Sequence, residues 1–298
     1  MKRVLITGKG SYVGTAVERW LNQFEDKYDV DCIDMIGDGW REFDFTGFDS
    51  VYHVAGIAHA DISNVSDETK KKYYDVNCNL AIETAHKAKE AGVHQFIYMS
   101  SLLVYGDCGS SSGKGKMIIE EGTKPNPSNF YGDSKWQAEN QLMELDSKDF
   151  NVAILRPPMI YGKGCKGNYP VLAKIAMKMP VFPKFHNERS ILYIDNLAEF
   201  VRILIDKGIG GVFFPQNREI VSTADIVKAI AKTHGKKIWI TSIFNWAVYI
   251  ARIMPGKIGS MSKKAFGSLV NRNHEPDDFI VKNFEESIED TESVNKVL

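Results

Sequence analysis

Val4-Leu5-Ile6-Thr7-Gly8-Lys9-Gly10-Ser11-Tyr12-Val13-Gly14 is the stretch that decides how the chain folds. Three apolar residues run straight into Thr7-Gly8, the pattern of a strand buried on both faces that enters a tight turn. From Ser11 to Glu25 the residues Val13, Val17, Trp20, Leu21 and Phe24 recur at helical spacing, so the turn feeds a helix. A strand, a glycine turn and a helix together open a parallel α/β unit.

Working outward, the same unit recurs. Strands are predicted at 28–33, 50–54, 95–99 and 152–155, with helices at about 73–91, stopped by Gly92, and from Ser128 to about Leu145. About thirty residues per unit specifies an α/β fold with a doubly wound parallel Rossmann sheet. Beyond Pro158 the pattern loosens, with helices expected at 168–178, 196–206, 222–234 and 243–254 and short strands at 191–194, 211–214 and 237–240. We assign 1–158 and 190–216 to the sheet domain. The remainder, 159–189 and 217–298, is read as a smaller C-terminal substrate-binding cap over the carboxyl ends of the strands, where ligands sit in open α/β sheets. Residues 109–116, rich in Gly and Ser, read as a mobile surface loop.

Composition bounds the function classes. With 298 residues, 44% hydrophobic and 25% charged, the chain can bury a sizeable core. Its net charge of −1 makes no case for nucleic acid or an anionic membrane as partner. The cysteines Cys32, Cys78, Cys108 and Cys165 are widely spaced without a CxxC pair or paired histidines, so free thiols and no metal are expected. The run from Ile238 to Met254 is the one membrane suspect. It contains Asn245 and Arg252 and falls short of the roughly 20 apolar residues a span needs. We read it as a buried or groove-lining helix and place the protein in the cytoplasm.

Gly8, Gly10 and Gly14 fall in the first strand-to-helix turn, where glycine lets the backbone approach a pyrophosphate at a helix N-terminus. Their spacing is Gly-x-Gly-x-x-x-Gly, and alone it also suits a plain structural turn. Asp34, twenty residues after Gly14, ends the second strand, where a carboxylate can hydrogen-bond ribose hydroxyls. A carboxylate there repels a 2′-phosphate, so NAD is favoured over NADP, and Lys9 is the residue that argues the other way. Small residues at Val54-Ala55-Gly56 would let a cofactor lie flat across the sheet edge, or simply turn the chain.

Tyr131 and Lys135 stand four apart on a predicted helix, one turn from each other on one face. An ammonium beside a phenol favours the phenolate and makes it a better base. Such a pair occurs by chance on solvated helices, but Ser100-Ser101 closes the fourth strand, and a hydroxyl there can align a substrate oxygen with Tyr131. Asn77 either orients backbone or water near this group or is a buried structural amide.

These residues resemble the extended short-chain dehydrogenase/reductases, in particular the NAD-dependent nucleotide-sugar epimerase/dehydratase family. Thr7-Gly8-Lys9-Gly10-Ser11-Tyr12-Val13-Gly14 resembles its Thr-Gly-x-x-Gly-x-x-Gly turn, with Ser11 in place of the middle glycine and Gly10 adjacent. The resemblance makes Gly8, Gly10, Ser11, Tyr12, Val13 and Gly14 cofactor-binding. Asp34 matches its ribose-binding acid, Asp44-Phe45 its adenine-contacting pair, and His53-Val54-Ala55-Gly56 its His-Leu-Ala-Ala. Asn77 matches the asparagine of the fourth helix. Ser101, in Ser-x-x-Val-Tyr-Gly, takes the catalytic hydroxyl position beside Ser100, and Tyr131 with Lys135 the active-site pair. Arg156-Pro157-Pro158 resembles the segment passing the nicotinamide, and Arg189 the arginine that meets a nucleotide diphosphate. Phe266-Gly267-Ser268-Leu269 is similar to bacterial polysaccharide-pathway members acting at C4 of UDP-N-acetylhexosamines. One further departure is that only sixteen residues lie between Asp34 and Val51, so the intervening helix must be short or absent.

The resemblance implies a nucleotide-sugar 4-epimerase with tightly held NAD, acting on a UDP-hexose or UDP-N-acetylhexosamine as a homodimer. The alternatives are an NAD(P)H-dependent 4-keto-sugar reductase using the same residues and a non-catalytic dinucleotide-binding sensor. A 4,6-dehydratase needs an acid pair directly after the strand-end hydroxyl, and Leu102-Leu103 stands there instead.

Overall fold

A computed structural model describes residues 1–58, 65–106, 116–254, 259, 262, 263, 265–273 and 275–293. Its first part runs β1 (Lys2–Thr7), α1 (Tyr12–Leu21), β2 (Tyr28–Ile33), β3 (Ser50–His53), α2 (Asp67–Tyr74), α3 (Leu80–Glu90), β4 (Gln95–Met99), β5 (Lys116–Ile119), α4 (Phe130–Met143) and β6 (Asn151–Leu155). There follow β7 (Met159–Tyr161), α5 (Asn168–Lys178), β8 (Val181–Pro183), β9 (Ile191–Tyr193), α6 (Ile194–Lys207) and β10 (Gly211–Phe213). The chain continues through α7 (Thr223–Thr233), β11 (Trp239–Thr241), α8 (Asn245–Ile253), β12 (Ser268–Asn271) and α9 (Phe284–Glu292).

Six parallel strands form the central sheet in the order β10-β6-β4-β3-β1-β2. Alternate residues of each strand feed opposite faces, and both faces are buried, which is why the strands read as unbroken apolar runs. On one face Leu5, Val51, Phe96 and Ile154 meet Ala81, Ala85 and Ala88 of α3 and Leu142 of α4. On the other, Val4, Ile6, Ile97 and Leu155 meet Val17 and Leu21 of α1 and Leu197, Val201 and Leu204 of α6. Three alanines at helical spacing leave α3 no bulk on its inner side, so its backbone packs close to the sheet.

Numbered within the sheet, the order is 2-1-3-4-5-6, the doubly wound order whose connections reverse between the first and third strands. The segment between β2 and β3 carries only a 3₁₀ turn, Gly39–Arg41. Trp40, Phe45 and Phe48, each no more than 3% exposed, fill the face that a crossover helix would otherwise cover. Beyond Pro158, β7 pairs with β9, β8 with β11, and β5 with β12, all parallel.

Several elements depart from their sequence patterns. The long helix starts at Asp67 behind the N-cap Ser66, earlier than expected, because Asp67-Glu68-Thr69-Lys70-Lys71-Lys72 has no apolar face to announce it. It is also interrupted by a π-helical turn, Asp75–Asn79. Strands β5, β7, β8 and β12 and helix α9 have no counterpart in the periodicity, since three- and four-residue strands hold too few alternations to register. The loop expected at 109–116 lies outside the described residues except for Lys116, which opens β5.

Candidate active site

Gly8 and Gly10 both adopt positive φ, 93° and 76°. A Cβ on Gly8 would stand 2.9 Å from the Ala55 amide nitrogen, so the turn lies directly against the end of β3. A Cβ on Gly10 would meet nothing within 4 Å. Ser11 does not displace the turn. It is the N-cap of α1, its hydroxyl accepting the Gly14 amide at 3.2 Å, and it leaves the first-turn amides of Tyr12 and Val13 without intrahelical acceptors. Bare backbone at a helix N-terminus is the cradle a pyrophosphate needs. Asp34 is exposed at the carboxyl end of β2, its carboxylate accepting the Ile36 amide. Turn and carboxylate fit a dinucleotide with free ribose hydroxyls.

Not every expected contact is arranged this way. Of the pair Asp44-Phe45, Asp44 is exposed and bound to the Thr46 amide, while Phe45 is 1% exposed and packs edge-on against Phe43. Its ring belongs to the core, which leaves its backbone as the part that could face an adenine. The Tyr12 ring packs on the core, and a Cβ on Gly162 would collide with its hydroxyl. Asn77 is wholly buried: its Oδ1 accepts the Ile57 amide, and its Nδ2 donates to the Ile57 carbonyl and to Ser134 Oγ. The side chain therefore positions the chain after β3 and is the structural amide of the two readings. The π-helical turn presents it inward.

The chemical group assembles where β4 ends against the first turn of α4. Asn129 caps that helix, its Oδ1 accepting the Gly132 amide at 2.9 Å. A Cβ on Gly132 would collide with the Leu103 carbonyl, so glycine is what allows α4 to lie on the 3₁₀ turn Leu102–Tyr105. The Pro157 carbonyl holds the start of that turn through the Leu102 amide at 3.0 Å. With the two elements in contact, the Ser101 hydroxyl faces the Tyr131 phenol and favours its ionised form. Lys135 lies one turn further along α4, 5% exposed, and donates to the Met99 carbonyl at 2.8 Å over the Tyr98 ring. A Cβ on Gly56 would stand 3.3 Å from Lys135 Nζ, which places the end of β3 beside the lysine.

Electrostatics inside this group differ from the sequence expectation. Burial pushes the Tyr131 phenol up to about 12, with Ser101 pulling it back and Tyr73 adding to the rise. Burial, and not a neighbouring charge, is the largest influence on the phenol. Burial lowers Lys135 itself to about 7, against the pull of Glu139. In a dry site, desolvation disfavours the charged form of each group. His53 is held neutral, lowered to about 3 by burial and by Lys135, with its Nδ1 on Thr7 Oγ1 at 2.9 Å.

Beneath the group lies a buried network that motif reading passes over. Glu139 and Arg156, 1% and 7% exposed, form a forked ion pair, with Arg156 Nε at 3.0 Å from Glu139 Oε2. Ser100 donates its hydroxyl to Glu139, and Arg156 Nη1 donates to Tyr105 at 2.6 Å. Ser100 is thus turned into the core. Glu139 continues the stripe of Tyr131 and Lys135 at another four-residue step, and that spacing was its one sequence signal. Arg189, expected at a diphosphate, directs Nη1 to the Ala265 carbonyl at 3.1 Å, while its backbone bridges Val221 and Leu269.

A profile of the NAD dependent epimerase/dehydratase family matches residues 4–213. A UDP-glucose 4-epimerase of Vibrio cholerae is 29% identical over 281 residues, covering 86% of this chain and 83% of its own length. An N-acetyl-alpha-D-glucosaminyl-diphospho-ditrans,octacis-undecaprenol 4-epimerase of Escherichia coli O157:H7 is 30% identical over 199 residues, 64% of this chain and 56% of that protein. The solved structure of a UDP-N-acetylglucosamine 4-epimerase from Bacillus cereus superposes with a TM-score of 0.68 at 15% identity, covering 98% of both chains, a likeness of fold.

Proposed function

The chain belongs to the NAD-dependent epimerase/dehydratase family, and from that premise we propose that it is a nucleotide-sugar 4-epimerase acting on a UDP-hexose or UDP-N-acetylhexosamine. The observation that carries the reading is the Ser101 hydroxyl set against the Tyr131 phenol, with Lys135 one turn away and the end of β3 beside it. When bound, NAD supplies a reversible hydride acceptor at the sugar C4. Gly8, Gly10 and the α1 amides would hold its pyrophosphate, Asp34 an adenosine ribose, and Lys135 the other ribose.

Tyr131 exchanges the proton of the C4 hydroxyl. Ser101 holds the same oxygen and keeps it in line with the phenol. Burial favours the neutral phenol and Ser101 favours the phenolate. The phenolate is the form that takes the C4 hydroxyl proton, and the phenol so formed returns a proton to the C4 carbonyl oxygen. The buried Glu139–Arg156 pair keeps α4 seated against β6 while these exchanges occur. Residues 159–189 and 217–298 form the cap that takes the nucleotide sugar, and α3 and α4 pair two copies into a homodimer. Such an enzyme works in the cytoplasm on precursors of surface polysaccharide.

Purified protein should carry NAD through gel filtration and interconvert UDP-sugars without added cofactor. Consumption of NADH or NADPH with a 4-keto-sugar, and no interconversion without it, would replace this reading by the reductase.

A further inference from the structure

Residues 226 to 274 hold nine Lys or Arg and no Asp or Glu, in a chain whose net charge is only −1. Within this stretch lies α8, and its apolar face points outward. Trp246, Tyr249, Ile250 and Ile253 recur at helical spacing and are 62%, 61%, 49% and 82% exposed. Trp239 on β11 and Ile243 in the turn before α8 are exposed by 62% and 61%.

A surface helix ordinarily turns such a stripe into the core. Here, apart from the Tyr249 ring, which leans on Phe185 at 5.3 Å between centroids while staying 61% exposed, the inner attachment uses other groups. Val248 is buried, Asn245 Nδ2 donates to the Lys184 carbonyl at 2.8 Å, and the Arg252 guanidinium lies over the Phe185 ring. The outward stripe is therefore left over from folding, and it is flanked by exposed Lys184 and Lys237.

We propose that this face docks on the surface of an anionic phospholipid bilayer. Three isoleucines match acyl chains and have no counterpart on a nucleic acid or an acidic peptide. The tryptophans and Tyr249 suit the headgroup boundary, and the surrounding cations suit anionic lipid. A second copy of the chain is a poor occupant, because two such faces would bring like charges together. The helix lies on the membrane and does not cross it. Its nine residues span about 14 Å, and no helix among the described residues is long and apolar enough to cross a membrane.

The full chain should co-sediment with vesicles containing about one third phosphatidylglycerol and not with neutral phosphatidylcholine vesicles. Binding should weaken in about 0.5 M salt and fall by about tenfold or more in Trp246→Ser/Ile253→Ser. Lys236→Gln/Lys237→Gln should weaken it without touching the apolar stripe. Both substituted pairs are exposed, so unchanged thermal unfolding serves as the folding control. Equal binding to neutral and anionic vesicles, or unchanged binding by both variants, overturns the proposal. So does a variant that binds no less but changes the mass in gel filtration, which would make the face an interface between copies. Tyr131→Phe should bind vesicles as the parent does, so this result stands apart from the epimerase reading.

Discussion

The Ser101 hydroxyl meets the Tyr131 phenol where the end of β4 abuts the first turn of α4, and the missing side chain of Gly132 is what lets them meet. Gly132→Ala should push that turn off the Leu103 carbonyl. The overpacking should cost about 1–3 kcal/mol of stability, and misalignment should lower kcat by roughly 100-fold with a smaller change in KM. Thermal unfolding beside steady-state kinetics checks both. Loss of stability with kcat intact would separate Gly132 from the chemistry.

Tyr131→Phe should reduce interconversion of UDP-sugars by about 10²–10⁴-fold and leave NAD bound, as read by absorbance of the gel-filtered protein. Ser101→Ala removes the hydroxyl that lowers the phenol, so the alkaline rise in rate should move to higher pH. An unshifted pH–rate profile would show that Ser101 only shapes the backbone turn.

Lys135 carries a pH signature in stability. Its folded value of about 7 lies below its ordinary 10.5, so between those values the unfolded chain binds the extra proton. Stability on its account therefore rises as pH climbs from about 7 toward 10, and is lowest at and below 7. Tyr131, raised to about 12, opposes this only above its ordinary value of 10. Lys135→Met should gain on the parent most at and below neutral pH, on the order of a few kcal/mol, with the gap narrowed by about pH 9.5 and closed only above the ordinary value of 10.5. Denaturant titrations at both pH values give the answer, and a gap that widens with pH contradicts the burial account.

Glu139→Ala leaves Arg156 as a buried cation with only Tyr105 and aromatic faces around it. That should destabilise by about 3–5 kcal/mol, whereas Glu139→Leu/Arg156→Met should restore much of the loss. Urea midpoints at constant m test it. If the double variant is no better than the single, the network's value lies in more than cancelling charge.

Asp34→Ala should weaken NAD by about 1–3 kcal/mol while altering stability by less than about 0.5 kcal/mol, because its carboxylate is exposed. Calorimetric titration of stripped protein measures the first, and thermal unfolding the second. No loss of affinity would reduce Asp34 to a strand end.

Much of this site is legible in one dimension because its parts are local. The glycine turn, Asp34 at a strand end and the Tyr131/Lys135 step each declare themselves within one element, through φ requirements and helical spacing. The missing helix between β2 and β3 is legible too, as a segment too short to cross the sheet. Glu139 and Ser100 are not, since their partners lie on other elements, and a buried acid reads the same as a solvated one along the chain. Phe45 and Asn77 also needed three dimensions: whether an aromatic ring or an amide faces a ligand or the core depends on what packs over it.

By itself the sequence determined the element order, the parallel sheet and the family's residues in their places, because backbone conformation and apolar periodicity are short-range properties. Only the tertiary structure decided that Ser101 comes to face Tyr131, that burial raises the phenol and lowers Lys135, and that α8 turns its apolar stripe outward. Those outcomes follow from desolvation and close packing, which depend on the neighbours the fold brings from distant parts of the chain.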